Sequence, residues 1–252
     1  MSSEKQGLSI VIIACNERAR LPRLLETLPT RDEILVVDSG STDGTVEWAE
    51  QNGCRVVYSR WEGYVSQKNK AIALAKYPWV LSLDCDEWLS RELAENICRA
   101  LHNPTVDSFM VTRCNHWITR PMRFGLFGRD KAIRLFRKGN GAFEGVEPHD
   151  RYICQGSSQP LTGLLHHQPY DSLEHHFQHI AAYSSLAAGD LQRQGKKASL
   201  ADVVVRPLWH LFRALILRLA WCDGPRGIVI AILGGYYTFS KWGKLWWKQR
   251  SS

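Results

Sequence analysis

Two carboxylates, Asp84 and Asp86, close the apolar run of "LSLDCDEW". In an extended chain, residues two apart point to the same side, so these two converge while Cys85 faces away. Convergent carboxylates behind a buried strand repel each other unless a cation or a shared proton intervenes. A hard divalent ion, Mg2+ or Mn2+, held by one or two carboxylates and by substrate phosphates, meets that need. The plainer alternative is that these acids cap the helix expected from Ser90, although a cap needs only one of them. A second stretch, "EILVVDSGSTDGT" (33–45), drops Asp38 and Asp43 into a small polar turn. That is either a side-chain-stabilised turn or one wall of a binding site. A third, "ACNE" (14–17), ends another apolar run in polar residues, Asn16 and Glu17.

The elements that must position these residues alternate. Apolar runs at 8–15, 33–38, 55–59 and 79–86 read as buried strands, separated by helix-like stretches near 18–28, 45–52, 66–76 and 90–101. Buried strands alternating with helices predict an α/β fold with a mostly parallel sheet covered on both faces. In such sheets ligands sit at the carboxyl ends of the strands, where the three polar stretches lie. Ser41 or Thr42 is the expected cap of a helix from Thr45, and Ser90 of the next one. After residue 105 the pattern changes to strand-like pieces at 107–113 and 131–137, joined by loops rich in Gly, Arg and Phe. From about 171 the chain reads as helix, in segments 171–196, 200–221 and 225–248. The expected organisation is a catalytic domain over 1–170, with halves 7–104 and 105–170, followed by a helical region over 171–252.

In order and spacing, "SIVIIACNE", "ILVVDSGSTDGT", "QKNKAIALA" (67–75) and "WVLSLDCDEW" resemble glycosyltransferase family 2, with its inverting GT-A fold. The pieces "AIRLFRKGNGAF", "VEPHD", "SLEHHFQHIAAYSSLAA" and "DGPRGIVIAILGGYYTFSKWGKLW" are similar to the lipopolysaccharide-core branch of that family. The resemblance implies a UDP-sugar donor, with Asp38 on the uracil, Ala14, Asn16 and Glu17 beside it, and Ser39 and Asp43 in the supporting turn. It places Lys68 and Asn69 toward the nucleotide, Asp84 toward the ribose and Asp86 on the metal. It implies a general base directly after a histidine, here Asp150 with His149 orienting it. Because "VEPHD" departs from the commoner "VHE", Glu147 remains a competitor. Arg134 and Arg137 are candidates to hold acidic groups, since guanidinium groups bind such anions bidentately; solvated surface arginines are the alternative. His166, His167, His175, His176 and His179 suggest packing or hydrogen bonding more than metal ligation, because no acid or cysteine partner is evident near them in sequence.

The net charge of +7 is concentrated: residues 203–252 hold eight Lys/Arg, one acid and five of the ten tryptophans, and the first 202 residues are neutral. The neutrality of the first 202 residues counts against nucleic acid as the partner. The Trp-rich basic tail, with Lys241, Lys244 and Lys248 interleaved with Trp242, Trp246 and Trp247, predicts peripheral association with an anionic membrane surface. Its 14-residue uncharged stretch (227–240) is shorter than the ~20 residues a spanning helix needs. Seven scattered cysteines without a CxxC pair suit a reducing compartment, and no signal-length apolar segment follows the N-terminus. Together these predict a peripheral enzyme at the cytoplasmic face of the inner membrane, acting on a lipopolysaccharide core or another lipid-linked saccharide, with oligomers possible. A nucleotide-binding scaffold that has lost catalysis is the reading from another class.

Overall fold

The computed structural model describes residues 6–145 and 150–250, and the chain divides into two compact units, residues 1–113 with 130–167, and 114–129 with 168–252. In the first unit, strands β1 (Leu8–Ala14), β2 (Glu33–Asp38), β3 (Arg55–Tyr58) and β4 (Trp79–Asp84) pair in parallel, in the order β3-β2-β1-β4. The sheet continues antiparallel from β4 through β8 (Asp130–Arg137) to β6 (Ser108–Trp117), then to β11 (Ser158–Tyr170) and β5 (Glu87–Leu89). It is therefore a mixed, GT-A-like sheet, parallel over β3-β2-β1-β4 but not mostly parallel as expected, because the strands after residue 105 join it antiparallel.

Every residue of β2 is buried, so both faces of the strand are covered. One face of β1 carries Ile10 and Ile12 into a core with Leu21 and Leu24 of helix α1 (Leu21–Glu26), Ala49 of α2 (Thr45–Gln51), and Leu93 and Ile97 of α4 (Arg91–Ala100). The other face carries Val11 into a second core with Ala71 and Ile72 of α3 (Tyr64–Leu74). That second core includes the hairpin of β9 (Gly141–Glu144) and β10 (Arg151–Cys154), whose Phe143 and Tyr152 pack on Phe136. The Tyr152 and Phe136 rings stack at 3.6 Å. Burying each such aromatic contributes about 1.5–3 kcal/mol, so the hairpin is held by its own packing.

Ser90 caps α4 as expected, accepting a hydrogen bond from Leu93 N–H. At α2 the expectation fails: Gly44 is the N-cap, with φ 83°, and the helix's first N–H, that of Thr45, donates to the Asp43 side chain instead. Ser41 and Thr42 are committed instead to the β1 loop, described below.

In the second unit, α5 (Leu173–Arg193), α6 (Leu200–Phe212) and α7 (Pro225–Lys248) pack with a short π-helical turn (213–217) and a 3-10 turn (220–223). The helix predicted to 221 thus ends earlier, because Leu219 adopts a left-handed φ of 54° that an α-helix does not admit. Gly234 and Gly235 allow α7 to approach His210 and Leu211 of α6 closely. Residues 114–129, assigned from sequence to the acceptor half, group with these helices. Among the described residues no helix is long and apolar enough to cross a membrane.

Candidate active site

The carboxyl ends of β2, β1 and β4 lie side by side. In register, Ala14 pairs with Asp38 and Ile13 with Asp84, so the two acids flank the end of β1. The loops there are laced together. Asn16 N–H donates to Ser41 Oγ at 2.8 Å, Thr42 N–H to Asn16 Oδ1 at 2.8 Å, and Glu17 N–H to Thr45 Oγ1 at 2.9 Å. Ser39 N–H donates to the Ala14 carbonyl at 3.0 Å. Asn16 sits at φ 57°, a conformation asparagine tolerates better than most residues. Asp43 accepts from Arg18 N–H at 3.1 Å and Thr45 N–H at 3.0 Å. Burial opposes ionisation of Asp43, but these bonds, with that from the Thr45 hydroxyl, outweigh it and hold its carboxyl below the usual range.

Asp38 is buried, and its carboxylate accepts from Gly40 N–H (2.7 Å), Ser41 N–H (2.9 Å) and the Ser41 hydroxyl. It is therefore a turn-forming residue. These bonds occupy three of the roughly four lone-pair positions of a carboxylate, so one acceptor position remains.

Asp84 lies in a buried ion network. Lys68 Nζ is 3.0 Å from its Oδ1, and Arg134 Nη2 is 2.9 Å from its Oδ2. Arg134 also reaches Glu87 Oε1 at 2.5 Å, and Glu87 Oε2 accepts from Asp84 N–H at 3.0 Å. Burial opposes ionisation of Asp84, but the two cations overcome it and hold the carboxyl well below its ordinary value. At Glu87 burial prevails over Arg134 and pushes the carboxyl up. Desolvation disfavours the charged form of Lys68, yet Asp84 and Asp150 more than compensate and raise its pKa. Lys68 and Arg134 thus supply cations that balance Asp84 from within the protein.

Asp86 follows in the turn to β5, while Cys85 turns into the first core, as the alternation predicts. Burial raises the Asp86 carboxyl, and His167, whose Nε2 is 3.4 Å from Oδ2, outweighs it and lowers the net value. Its other oxygen, Oδ1, is buried without a hydrogen-bond partner among the described residues. An orphaned carboxylate oxygen beside a second acid fits a hard divalent cation, with Asp86 as the ligand that has an oxygen to give. Neither His167 nor Glu87 was selected from sequence. Their roles follow from the register of β11 on β5, which pairs His167 with Glu87, and no local pattern announces that pairing.

Lys68 Nζ also binds Asp150 Oδ2 at 2.9 Å, so one buried ammonium joins the candidate base to Asp84. Glu147 and His149 lie outside the described residues. Asn69 engages the backbone of β9: its Nδ2 donates to the Phe143 carbonyl at 2.9 Å, and Phe143 N–H donates to its Oδ1 at 2.8 Å. Gln67, buried and not selected from sequence, donates to Ser39 Oγ at 2.9 Å and to the Ser59 carbonyl at 3.0 Å. Arg137 is not brought to this cluster. It pairs with Trp79 at the opposite end of β4, its guanidinium 5.4 Å from the Trp79 ring. Three residues from Arg134 along β8, it falls a strand length away from the carboxyl ends.

Residues 9–144 match the glycosyl transferase family 2 model. An uncharacterized glycosyltransferase of Rickettsia felis is 32% identical over 95% of this chain and 89% of its own length. The lipopolysaccharide core biosynthesis glycosyltransferase LpsC of Rhizobium meliloti is 28% identical over 96% of this chain and 93% of its own. Among solved structures, S. aureus TarS 1-349 in complex with UDP-GlcNAc aligns with a TM-score of 0.49 at 13% identity, covering 94% of this chain and 91% of that one. With the family's ordered motifs carried on adjacent strand ends, the chain belongs to glycosyltransferase family 2 and is an inverting glycosyltransferase.

Proposed function

We propose that this enzyme transfers a hexose, glucose, from a UDP-sugar to a heptose of a lipopolysaccharide inner core, in a metal-dependent single displacement. The observation that carries the reading is the convergence of Asp38 and Asp84 on either side of β1, with Asp86 in the next turn presenting an unpartnered oxygen. The remaining acceptor position of Asp38 suits the N–H of uracil, which a carboxylate accepts. Asp86, with Asp84 beside it, would hold Mg2+ or Mn2+; when bound, the ion offsets negative charge on the departing UDP. Asp150 takes the proton of the acceptor hydroxyl as that oxygen attacks the anomeric carbon. The bond to UDP breaks as the new glycosidic bond forms, on the opposite face, and configuration inverts. The inner-core acceptor is supported by the resemblance over nearly the whole chain to the lipopolysaccharide-core branch and by the name of the Rhizobium relative.

The second unit supports peripheral attachment to the cytoplasmic face of an anionic membrane, through a surface wider than the Lys/Trp stripe of α7. Part of that stripe is engaged within the protein, while Trp247 stays 66% exposed. Lys244 Nζ donates to the Ala181 carbonyl and to Ser184 and Ser185, Trp242 lies under Arg206 at 4.0 Å, and Trp246 under Arg250 at 4.1 Å. Exposed apolar residues also gather around the turns joining α6 to α7, among them Ile216, Leu217, Leu219, Trp221 and Ile228, with exposed Arg213, Arg218 and Arg226 beside them in sequence. Apolar side chains set among cations match an anionic lipid surface.

The test is product analysis by mass spectrometry with UDP-glucose, UDP-galactose and UDP-GlcNAc against heptose-terminated core oligosaccharide. Glucosylation of the heptose is expected. Turnover confined to another lipid-linked saccharide contradicts the acceptor, and absence of UDP release with every acceptor contradicts transfer itself.

A further inference from the structure

We infer that the three consecutive residues Gln67, Lys68 and Asn69 of α3 form a clamp that sets the candidate base against the donor end of the sheet. Consecutive helical residues point about 100° apart, so three in a row can face three different neighbours. Gln67 holds the loops after β2 and β3 through Ser39 and Ser59. Lys68 joins Asp84 at the end of β4 to Asp150. Asn69 pairs with both backbone groups of Phe143, as a neighbouring strand would. Phe143 lies on β9 and pairs in register with Tyr152, and Asp150 immediately precedes β10. One helical turn therefore grips both β9 and the start of β10 and ties them to the strand ends that carry the donor acids. Lys68 and Asn69 thus act as positioning residues for the base.

The hairpin has its own ladder and its aromatic stack on Phe136. A merely structural Asn69 would therefore alter stability and leave turnover per folded molecule intact. A positioning Asn69 alters turnover, because a displacement of ~1 Å at a reacting group can cost on the order of 10²-fold.

The inference rests on Asp150 being the base, and the experiment separates the two ideas. UDP release by the full chain is measured for Asn69→Ser, Asn69→Leu, Lys68→Arg, Lys68→Met, Asp150→Asn and the double variant Lys68→Met/Asp150→Asn, each confirmed folded by its thermal transition, with UDP affinity measured by calorimetry. The expected result for either Asn69 variant is a kcat loss of at least about tenfold with UDP affinity and donor KM within about twofold of the parent, the pattern of an interaction used only in the transition state. Lys68→Arg retains more turnover than Lys68→Met. Adding Lys68→Met to Asp150→Asn costs nothing further, because residues acting as a unit are not additive. The clamp is overturned if the Asn69 variants lose UDP affinity in step with kcat, or keep full kcat. It is also overturned if Lys68→Met multiplies the loss of Asp150→Asn. Near-normal turnover by Asp150→Asn alone would instead remove the base assignment on which the clamp depends.

Discussion

The two units handle charge and apolar surface in opposite ways. The first buries charges and satisfies them with one another: Glu87 is 1% exposed, Arg134 4% and Lys68 5%, all within one network around Asp84. The second exposes large apolar side chains, Leu208 at 59%, Leu217 at 56% and Trp221 at 55% among them. Burying charges is costly unless geometry and pairing are good, and a binding site for a polyanionic nucleotide justifies the cost because its groups are already oriented. Exposing contiguous apolar surface is equally unusual for a protein that meets only water. The contrast is the ground on which the proposed function places chemistry in one unit and membrane attachment in the other.

The largest effect expected from breaking that contrast is at Arg134. Arg134→Met leaves the buried Glu87 without its closest cation and Asp84 with Lys68 alone, and should lower stability by about 3–5 kcal/mol, read as a drop in the urea midpoint. An unchanged midpoint would mean that the network is solvated and not part of a preorganised site.

Next in size are substitutions on the second unit. Ile216→Ser and Trp221→Ser should each weaken binding to anionic vesicles by about 10- to 100-fold, following the ~1.5–3 kcal/mol gained when a large apolar side chain leaves water. Stability should hardly change, because these side chains are exposed in the folded chain. Vesicle binding that survives both changes would direct this surface to a protein partner.

The smallest effect is on pH dependence. Burial, with His179 and His175 nearby, lowers the pKa of His176 from 6.5 to about 4. Trp117 Nε1 donates to its Nδ1 at 3.2 Å, which requires that nitrogen to be unprotonated. Between those pH values the unfolded chain binds a proton that the folded chain does not, so folding is weakened as pH falls from about 6.5 to about 4. The contribution is complete above 6.5. The melting temperature should decline across that window, and His176→Gln should flatten the decline. A slope identical in the variant would place its origin elsewhere.

How much was legible in the sequence depends on whether a contact is local. The parallel half could be read because strands covered on both faces are continuous apolar runs, and Asp38, Asp84 and Asp86 stand out because they punctuate the ends of such runs. The partners of Asp84 and Asp86 could not be assigned. Arg134 reaches Asp84 through the antiparallel pairing of β8 with β4, and His167 reaches Asp86 through that of β11 with β5. Strand register over such separations leaves no mark in local spacing. For the same reason Arg134 and Arg137 read alike in sequence, but Arg134 reaches Asp84 while Arg137 pairs with Trp79 at the start of β4. The tail is ambiguous for a different reason. Lysine and tryptophan at helical spacing suit a lipid interface and also suit docking on neighbouring helices, and Lys244, Trp242 and Trp246 take the second course.

The most direct test is calorimetric titration of the full chain with UDP, with Mn2+ or with a chelator present, for the parent and for Asp86→Asn. The account predicts that Mn2+ tightens UDP binding to the parent and that Asp86→Asn loses this gain while keeping the metal-free affinity. UDP binding that ignores Mn2+ in the parent, or a full Mn2+ effect in the variant, would contradict a donor site built around the free oxygen of Asp86.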